Sequence, residues 1–400
     1  MSDLAEEPHW VFGKYIHLAG SASKGSDASL IRYAHDLVRC TAMEILRSGG
    51  GLVLFAGKEP VQAVDTPGSP SIIFDWTILE AADLVTTQAR LHWPHNRPPL
   101  VIVISEKAGK EIPQPRYALW ERLLKSGLVR LEYIQPGARS GAMLRERQAQ
   151  FGSALICLGG GTGVEHLANL YLARRRPVIP LDLPIGASRE DGTGGSERLN
   201  REALANPTIY LRLRPELAES GAALLVSIGT RNGTSNLEAV TDSMMRIMAA
   251  LDCPHAFAVR LLNSTAEEFP AVEGYFREIV DPVIEGFGYR RIEMGTDRTE
   301  HGFINVEIFE RLHYSDLVIV DVTGLRPNCF IEMGYAFGLG IPVIVTAKRG
   351  TVLPFDQNAI PTHFWTLETS IESNRKLLSG FIEKNIDRPH LVVPQFTQKS

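Results

Sequence analysis

The chain has 400 residues, enough for two domains or more, each with its own core. Its 41 Lys and Arg stand against 46 Asp and Glu, a net charge of −5, which leaves no overall basic footprint and argues against general nucleic-acid binding. The four cysteines, Cys40, Cys157, Cys253 and Cys329, are far apart and show no CxxC spacing, which argues against a zinc site or a disulfide framework.

The first ten residues, MSDLAEEPHW, are acidic and lack the apolar stretch of a signal peptide. No apolar run reaches membrane-spanning length, so a cytoplasmic location is the expectation. Strand-like and helix-like segments then alternate. Tyr15 to Ala19 reads as a strand and Ser29 to Arg47 as a helix stopped by Gly49, Gly50 and Gly51. Leu52 to Ala56 is a strand, Ile73 to Gln88 a helix, Leu100 to Ile104 a strand, and Tyr117 to Lys125 a helix. Val129 to Ile134 and Ala154 to Leu158 are strands on either side of a helix over Ala142 to Phe151. A helix over Val164 to Ala173 and a strand over Val178 to Leu181 follow. Residues 184–204 are polar and Gly-rich and read as a long loop, and Leu237 to Leu251 as an amphipathic helix.

Asp252, Cys253 and Pro254 break the pattern and set a domain boundary, giving 1–252 and 253–400. The rhythm then restarts: strand Ala256 to Leu262, helix Tyr275 to Phe287, strand Tyr289 to Met294 and helix Val306 to Leu312. Strands over Asp316 to Val320 and Val343 to Thr346 follow, and a last helix over Ser370 to Ile386. Such alternation predicts an α/β protein of two Rossmann-like domains, each a mostly parallel sheet with helices on both faces.

Two segments carry chemistry. In LGGGTGVEHL, Gly159, Gly160, Gly161 and Gly163 with Thr162 join a strand to a helix. Glycines let the backbone approach a ligand, and the free amides at the helix start favour an anion such as phosphate. The spacing is neither that of a dinucleotide fingerprint nor that of a P-loop. Gly20 and Ser21, at the end of the first strand, would complete the pocket. The second segment is DLVIVDVTGLRPNCFIEMGYA, Asp316 to Ala336. A buried strand ends in Asp321, a turn carries Thr323 and Gly324, and a helix begins near Asn328 with Glu332 one turn on. Glu332 lies early in its helix, where the macrodipole favours a carboxylate suited to stabilise or attack a developing sugar cation.

Glu146-Arg147-Gln148, the strand Ala154 to Leu158 and the glycine turn together resemble the LOG/lysine-decarboxylase-like family and the wider SLOG grouping, over roughly 14–205. That family has an ERK helix followed by PGGxGTxxE. Leu158 stands at the motif proline. With a one-residue deletion Glu165 fits the family glutamate, whereas an ungapped alignment puts His166 there. The resemblance implies a nucleotide-derived ligand held by the glycine turn, with Arg147 pairing its phosphate. VDVTGLRPNCFIEMGYAFGLGIPVIV resembles the nucleoside 2-deoxyribosyltransferase-like family, related to bacterial TIR-like domains, over about 255–365. It implies Glu332 as nucleophile, Asp321 and Asn328 as substrate-binding, and Thr323, Phe355 and Asp356 at the substrate; Arg260, at the end of the first strand, could meet a phosphate.

The two resemblances together imply a bacterial anti-phage defence effector. Its first domain would sense a nucleotide signal, and its second would cleave an N-glycosidic bond in NAD or a nucleotide as substrate. No cofactor, metal, membrane or nucleic-acid partner is expected, and a homo-oligomer is. A housekeeping deoxyribosyltransferase or nucleotide N-glycosidase, and a non-catalytic nucleotide-binding protein, remain as alternatives.

Overall fold

The computed structural model describes residues 10–57, 61–63, 68–88, 91, 93, 97–134, 140–186, 194–292, 304–354 and 359–386. The chain divides into two compact units, Met1–Asp252 and Cys253–Ser400. Each is an α/β unit with one parallel sheet and helices on both faces, the architecture expected from the alternating sequence.

The sheet of the first unit is built from β1 (Tyr15–Ser21), β2 (Gly51–Leu54), β3 (Leu100–Ser105), β4 (Val129–Ile134), β5 (Ala154–Gly159) and β6 (Val178–Leu181). Its order is β4-β3-β2-β1-β5-β6, with every pairing parallel. Strands β2 and β5 are apolar runs buried throughout, as a sheet covered on both faces requires. Chain direction across the sheet reverses at β1 and β5, so the crevice beyond their carboxyl ends is the natural ligand position. Helix Ala28–Arg47 covers one face with Ile31, Ala34, Leu37, Val38 and Ile45, and starts where the Asp27 carboxylate accepts from the amides of Ser29 and Leu30 at 2.6 and 3.2 Å.

One segment differs from its sequence reading. Within 184–204, read as loop, Gly195–Ala205 is a helix. Two of its polar residues, Ser196 and Asn200, point inward. Ser196 donates to the carbonyls of Cys157 and Leu181, and the Asn200 amide donates to Pro180 O at 2.8 Å. These side chains satisfy carbonyls of β5 and β6, so polarity here marks a buried seam. The basic run at Arg174 to Arg176 serves a neighbouring helix. Arg176 donates to the carbonyls of Ala149 and Gly152 at 2.8 and 2.7 Å, closing the end of helix Ser140–Phe151.

The second sheet has β7 (His255–Val259), β8 (Arg290–Ile292), β9 (Leu317–Asp321), β10 (Val343–Lys348) and β11 (Thr362–Trp365) in the order β11-β10-β9-β7-β8, again all parallel. The reversal falls between β7 and β9, the flavodoxin-like arrangement, and places a crevice beyond Val259 and Asp321. The helical run before β8 starts at Phe269, earlier than the sequence suggested, and passes through a π-helical turn at Phe276–Val280. Helix Pro327–Leu339 follows β9 and is closed by Gly340 in the left-handed region. Among the described residues no helix is long and apolar enough to cross a membrane, and no cluster of three or more metal-ligating side chains occurs.

Candidate functional site

The first site is a cleft of about 570 Å³ at the β1/β5 reversal. Gly20 and Ser21 from β1, and Gly160, Gly161, Thr162 and Gly163 from the turn after β5, form one wall. Gln148, from the motif Glu146-Arg147-Gln148, also lines it, as do His17, Phe55, Asp75 and Arg145, none of which was singled out from the sequence. Gly159 and Gly160 sit at φ +57° and +70°. A Cβ on Gly159 would lie 2.4 Å from Ser21 O, and one on Gly160 would lie 2.2 Å from Val164 Cγ2. The Gly160 amide donates to Ser21 O at 2.6 Å and locks the two strand ends together. Helix Thr162–Ala173 starts at Gly161, which offers no capping side chain. Among the described residues the Thr162 and Gly163 amides have no acceptor, so they are available to an anion. Gly160→Ala should therefore cost about 1–3 kcal/mol through strain and overlap, read as a fall in denaturation midpoint. An unchanged midpoint would contradict this turn geometry.

Arg147 does not face this cleft. Its Nε and Nη2 donate to Glu132 Oε2 at 3.2 and 2.5 Å, its Nη1 donates to Gln150, and its guanidinium lies 4.9 Å over the Phe151 ring. Two residues along a helix turn a side chain by about 200°, and Arg145 takes the cleft position instead. Arg145 Nη1 is 3.4 Å from where a Cβ of Gly163 would stand, and its Nε donates to His166 Nδ1 at 3.0 Å. Glu165 lines no part of the cleft. Its Oε1 accepts from the Gly195 amide at 3.0 Å and ties the start of the next helix to the glycine turn. Neither alignment of the LOG-like motif thus delivers a glutamate to the ligand. The acidic side chain that lines the cleft, among the described residues, is Asp75. Burial lifts its pKa to about 7, against hydrogen bonds from the Phe55 and Asp75 amides. His17 beside it is buried, held neutral with its pKa lowered to about 3 by desolvation, and its Nδ1 lies 3.1 Å from the Tyr171 hydroxyl.

The second site lies beyond β9. Glu332 is half-buried one turn after the exposed Asn328 on helix Pro327–Leu339. Among the described residues its carboxylate has neither a hydrogen-bond nor an ion-pair partner. Burial raises its pKa from 4.5 to about 7. The sequence reading had the macrodipole favouring the ionised form. Glu332 is the sixth residue of the helix, past the reach of the terminal charge, so desolvation wins. Cys329 between them is pushed up to about 12 by burial and by the charges of Glu332 and then Asp321, which places both carboxylates in one neighbourhood.

The remaining residues read from this segment are structural. Asp321 is fully buried. One carboxylate oxygen accepts from Thr346 Oγ1 at 2.8 Å and Trp365 Nε1 at 2.7 Å, the other from the Thr323 amide at 3.1 Å. It binds strand ends to one another and presents no open oxygen to a substrate. Trp365 in turn stacks on Tyr275 at 4.3 Å between ring centres. Thr323 is buried, and its hydroxyl accepts from the Lys348 amide at 2.8 Å. Arg260 is buried against the Phe276 ring and paired with Glu273 at 2.5 Å, so it is not free to meet a phosphate. Phe355 and Asp356 lie outside the described residues.

Comparison with known proteins adds to this geometry. ATP nucleosidase Cap17 from Escherichia coli (strain KTE188) is 28% identical over 269 residues, covering 66% of this chain and 50% of that protein. A second Escherichia coli protein of the same name matches to the same extent. The chain thus spans about half the length of the curated relatives it matches. Among solved structures, DNA processing protein A from Helicobacter pylori superposes with a TM-score of 0.32 at 13% identity over 59% of this chain and 82% of that one, a likeness too distant to bear on function. A family described as ATP nucleosidase Cap17-like, N-terminal, matches residues 11–247, more than half of the chain and the whole of the first sheet with its glycine cleft; the protein belongs to this family.

Proposed function

We propose that the protein is a two-domain N-glycosidase in which the first domain binds a nucleotide-derived ligand and the second breaks the bond between a ribose and its base. The observation that carries the reading is Glu332: a half-buried carboxylate without a protein partner among the described residues, on the helix that follows β9 at the reversal of a parallel sheet. As the C1′–N bond breaks, its electron pair leaves with the base and positive charge builds on the sugar. The Glu332 carboxylate stabilises or attacks C1′, and water or an acceptor hydroxyl then completes the exchange. Asn328, one turn earlier on the same helix face, is placed to hold a sugar hydroxyl. Asp321 acts in this scheme only by holding the strand ends on which the crevice is built.

The resemblance of the second domain to nucleoside deoxyribosyltransferase-like and TIR-like domains supports glycosidic chemistry. The name of the Escherichia coli relatives, ATP nucleosidase, makes ATP the first substrate to try, with NAD⁺ next. The pairing of a SLOG-like first domain with such a second domain supports a role in anti-phage defence, with ligand occupancy of the first cleft and self-association controlling turnover.

The test is incubation with ATP, NAD⁺ and deoxynucleosides, with and without candidate nucleotide signals, followed by chromatography for free base. Base release that rises with an added signal is the expected result. Absence of free base under every condition would remove the enzyme reading. Constitutive release would favour a housekeeping enzyme. The pH profile carries a further expectation. Only ionised Glu332 can serve a sugar cation, so kcat/KM should rise with pH through an apparent pKa near 7. A flat profile from pH 5 to 8 would show that this carboxyl is not the titrating group.

A further inference from the structure

We propose that Asp75 is the ribose-reading residue of the first-domain cleft, so that the cleft selects a ribonucleotide with a free 2′-hydroxyl over its 2′-deoxy counterpart. The inference rests on the reading of that cleft as a nucleotide site and names what such a site would discriminate.

The two ends of the cleft differ in chemistry. At the β5 end the unaccepted amides of Thr162 and Gly163 and the guanidinium of Arg145 offer only donors and positive charge, a setting for phosphate. At the other end the Asp75 carboxyl accepts from the Phe55 amide, directly beyond β2. It lines the cleft and has no cationic partner among the described residues, so it keeps acceptor capacity for a ligand there. Its raised pKa is the signature of a carboxylate short of donors, and a ligand hydroxyl would supply them. Arg145 is not such a donor, because its guanidinium lies against Gly163 and His166.

Distance selects the ligand group. The strand order β2-β1-β5 puts two strand spacings, about 10 Å, between the end of β2, where the Phe55 amide meets Asp75, and the glycine turn after β5. That is the reach of a 5′-phosphoribose hydrogen-bonded at both ends, whereas the amino edge of a base would overshoot. An acid at the end of the second strand holding a ribose 2′-hydroxyl is the solution that dinucleotide folds reach with a different glycine spacing. Here the acid comes from the start of helix Asp75–Gln88. Phe55, also lining the cleft, offers an apolar face beside the sugar.

The experiment is calorimetric titration of the full chain carrying Glu332→Gln, which prevents turnover. The four ribonucleoside 5′-triphosphates and monophosphates are compared with their 2′-deoxy forms. For the nucleotide that binds, the deoxy form should bind about tenfold or more weaker, and Asp75→Asn should bring the two forms to equal affinity. Arg145→Ala should weaken both forms alike, identifying the first cleft as the site measured. Equal affinity of ribo and deoxy forms in the parent protein would overturn the ribose assignment and leave the nucleotide cleft standing. Failure of every nucleotide to bind, or binding indifferent to Arg145→Ala, would overturn the cleft reading itself. Asp75→Asn in the chain with native Glu332 supplies one more outcome. Loss of base release at unchanged affinity would make Asp75 catalytic and overturn the proposal from the other side.

Discussion

Glu332→Gln is expected to lower the rate of base release by on the order of 10³-fold or more while raising the melting temperature. The two effects share one cause. The carboxyl sits in a half-buried position without donors among the described residues, which is where an ionised group is most useful to a sugar cation and least comfortable in the resting protein. Its folded pKa of about 7 lies above the ordinary 4.5, so the folded state holds the proton more tightly than the unfolded chain does. Stability from this group is full below pH 4.5 and declines as the pH rises through about 7. Glutamine has the same shape without the charge. Above pH 7 the variant should therefore be more stable, by about 1–2 kcal/mol once solvent access to the half-buried site is discounted. The gain should vanish near pH 4.5. Calorimetric melting at pH 4.5 and pH 8, together with the base-release assay, checks both parts. A variant that keeps its rate, or that melts lower at pH 8, would show that Glu332 is an ordinary structural carboxylate.

The architecture was legible in the sequence because its signals are redundant. Runs such as Leu100–Ser105 and Leu317–Asp321 are apolar on both strand faces, and only a sheet covered on both sides buries them. Legibility failed where polar residues serve the interior. Ser196 and Asn200 look like loop residues, and their partners are carbonyls of strands that only the fold brings near. The same holds at the sites. Glycines at a strand–helix turn announce themselves through spacing, and Glu332 through its distance from the strand end. Asp321 looks equally chemical, yet its oxygens are taken up by Thr346 and Trp365, which follow 25 and 44 residues later. Asp75 lies far along the chain from the glycine turn and carries no motif. Its relevance follows from β2 lying next to β1 in the sheet, which spacing along the chain does not encode.

Arg145 and Arg147 should separate binding from stability. The resemblance to the LOG-like motif selects Arg147 as the phosphate ligand, and the helix geometry selects Arg145. Arg145→Ala is expected to weaken nucleotide binding by about 10²-fold, since charge-assisted hydrogen bonds contribute about 1.5–3 kcal/mol each. It should leave the denaturation midpoint nearly unchanged, because the bond it loses within the protein is to a half-buried imidazole, His166. Arg147→Ala should do the reverse. It strands Glu132 with Arg130 alone and removes the stack on Phe151, a loss of about 1–2 kcal/mol, with nucleotide affinity held within about twofold. Denaturant melts paired with calorimetric titration of the two variants read both quantities on the same samples. If Arg147→Ala abolished binding while Arg145→Ala left it intact, the phosphate would have to be placed on the opposite face of helix Ser140–Phe151, and the anion cradle at Thr162 and Gly163 would lose its cation.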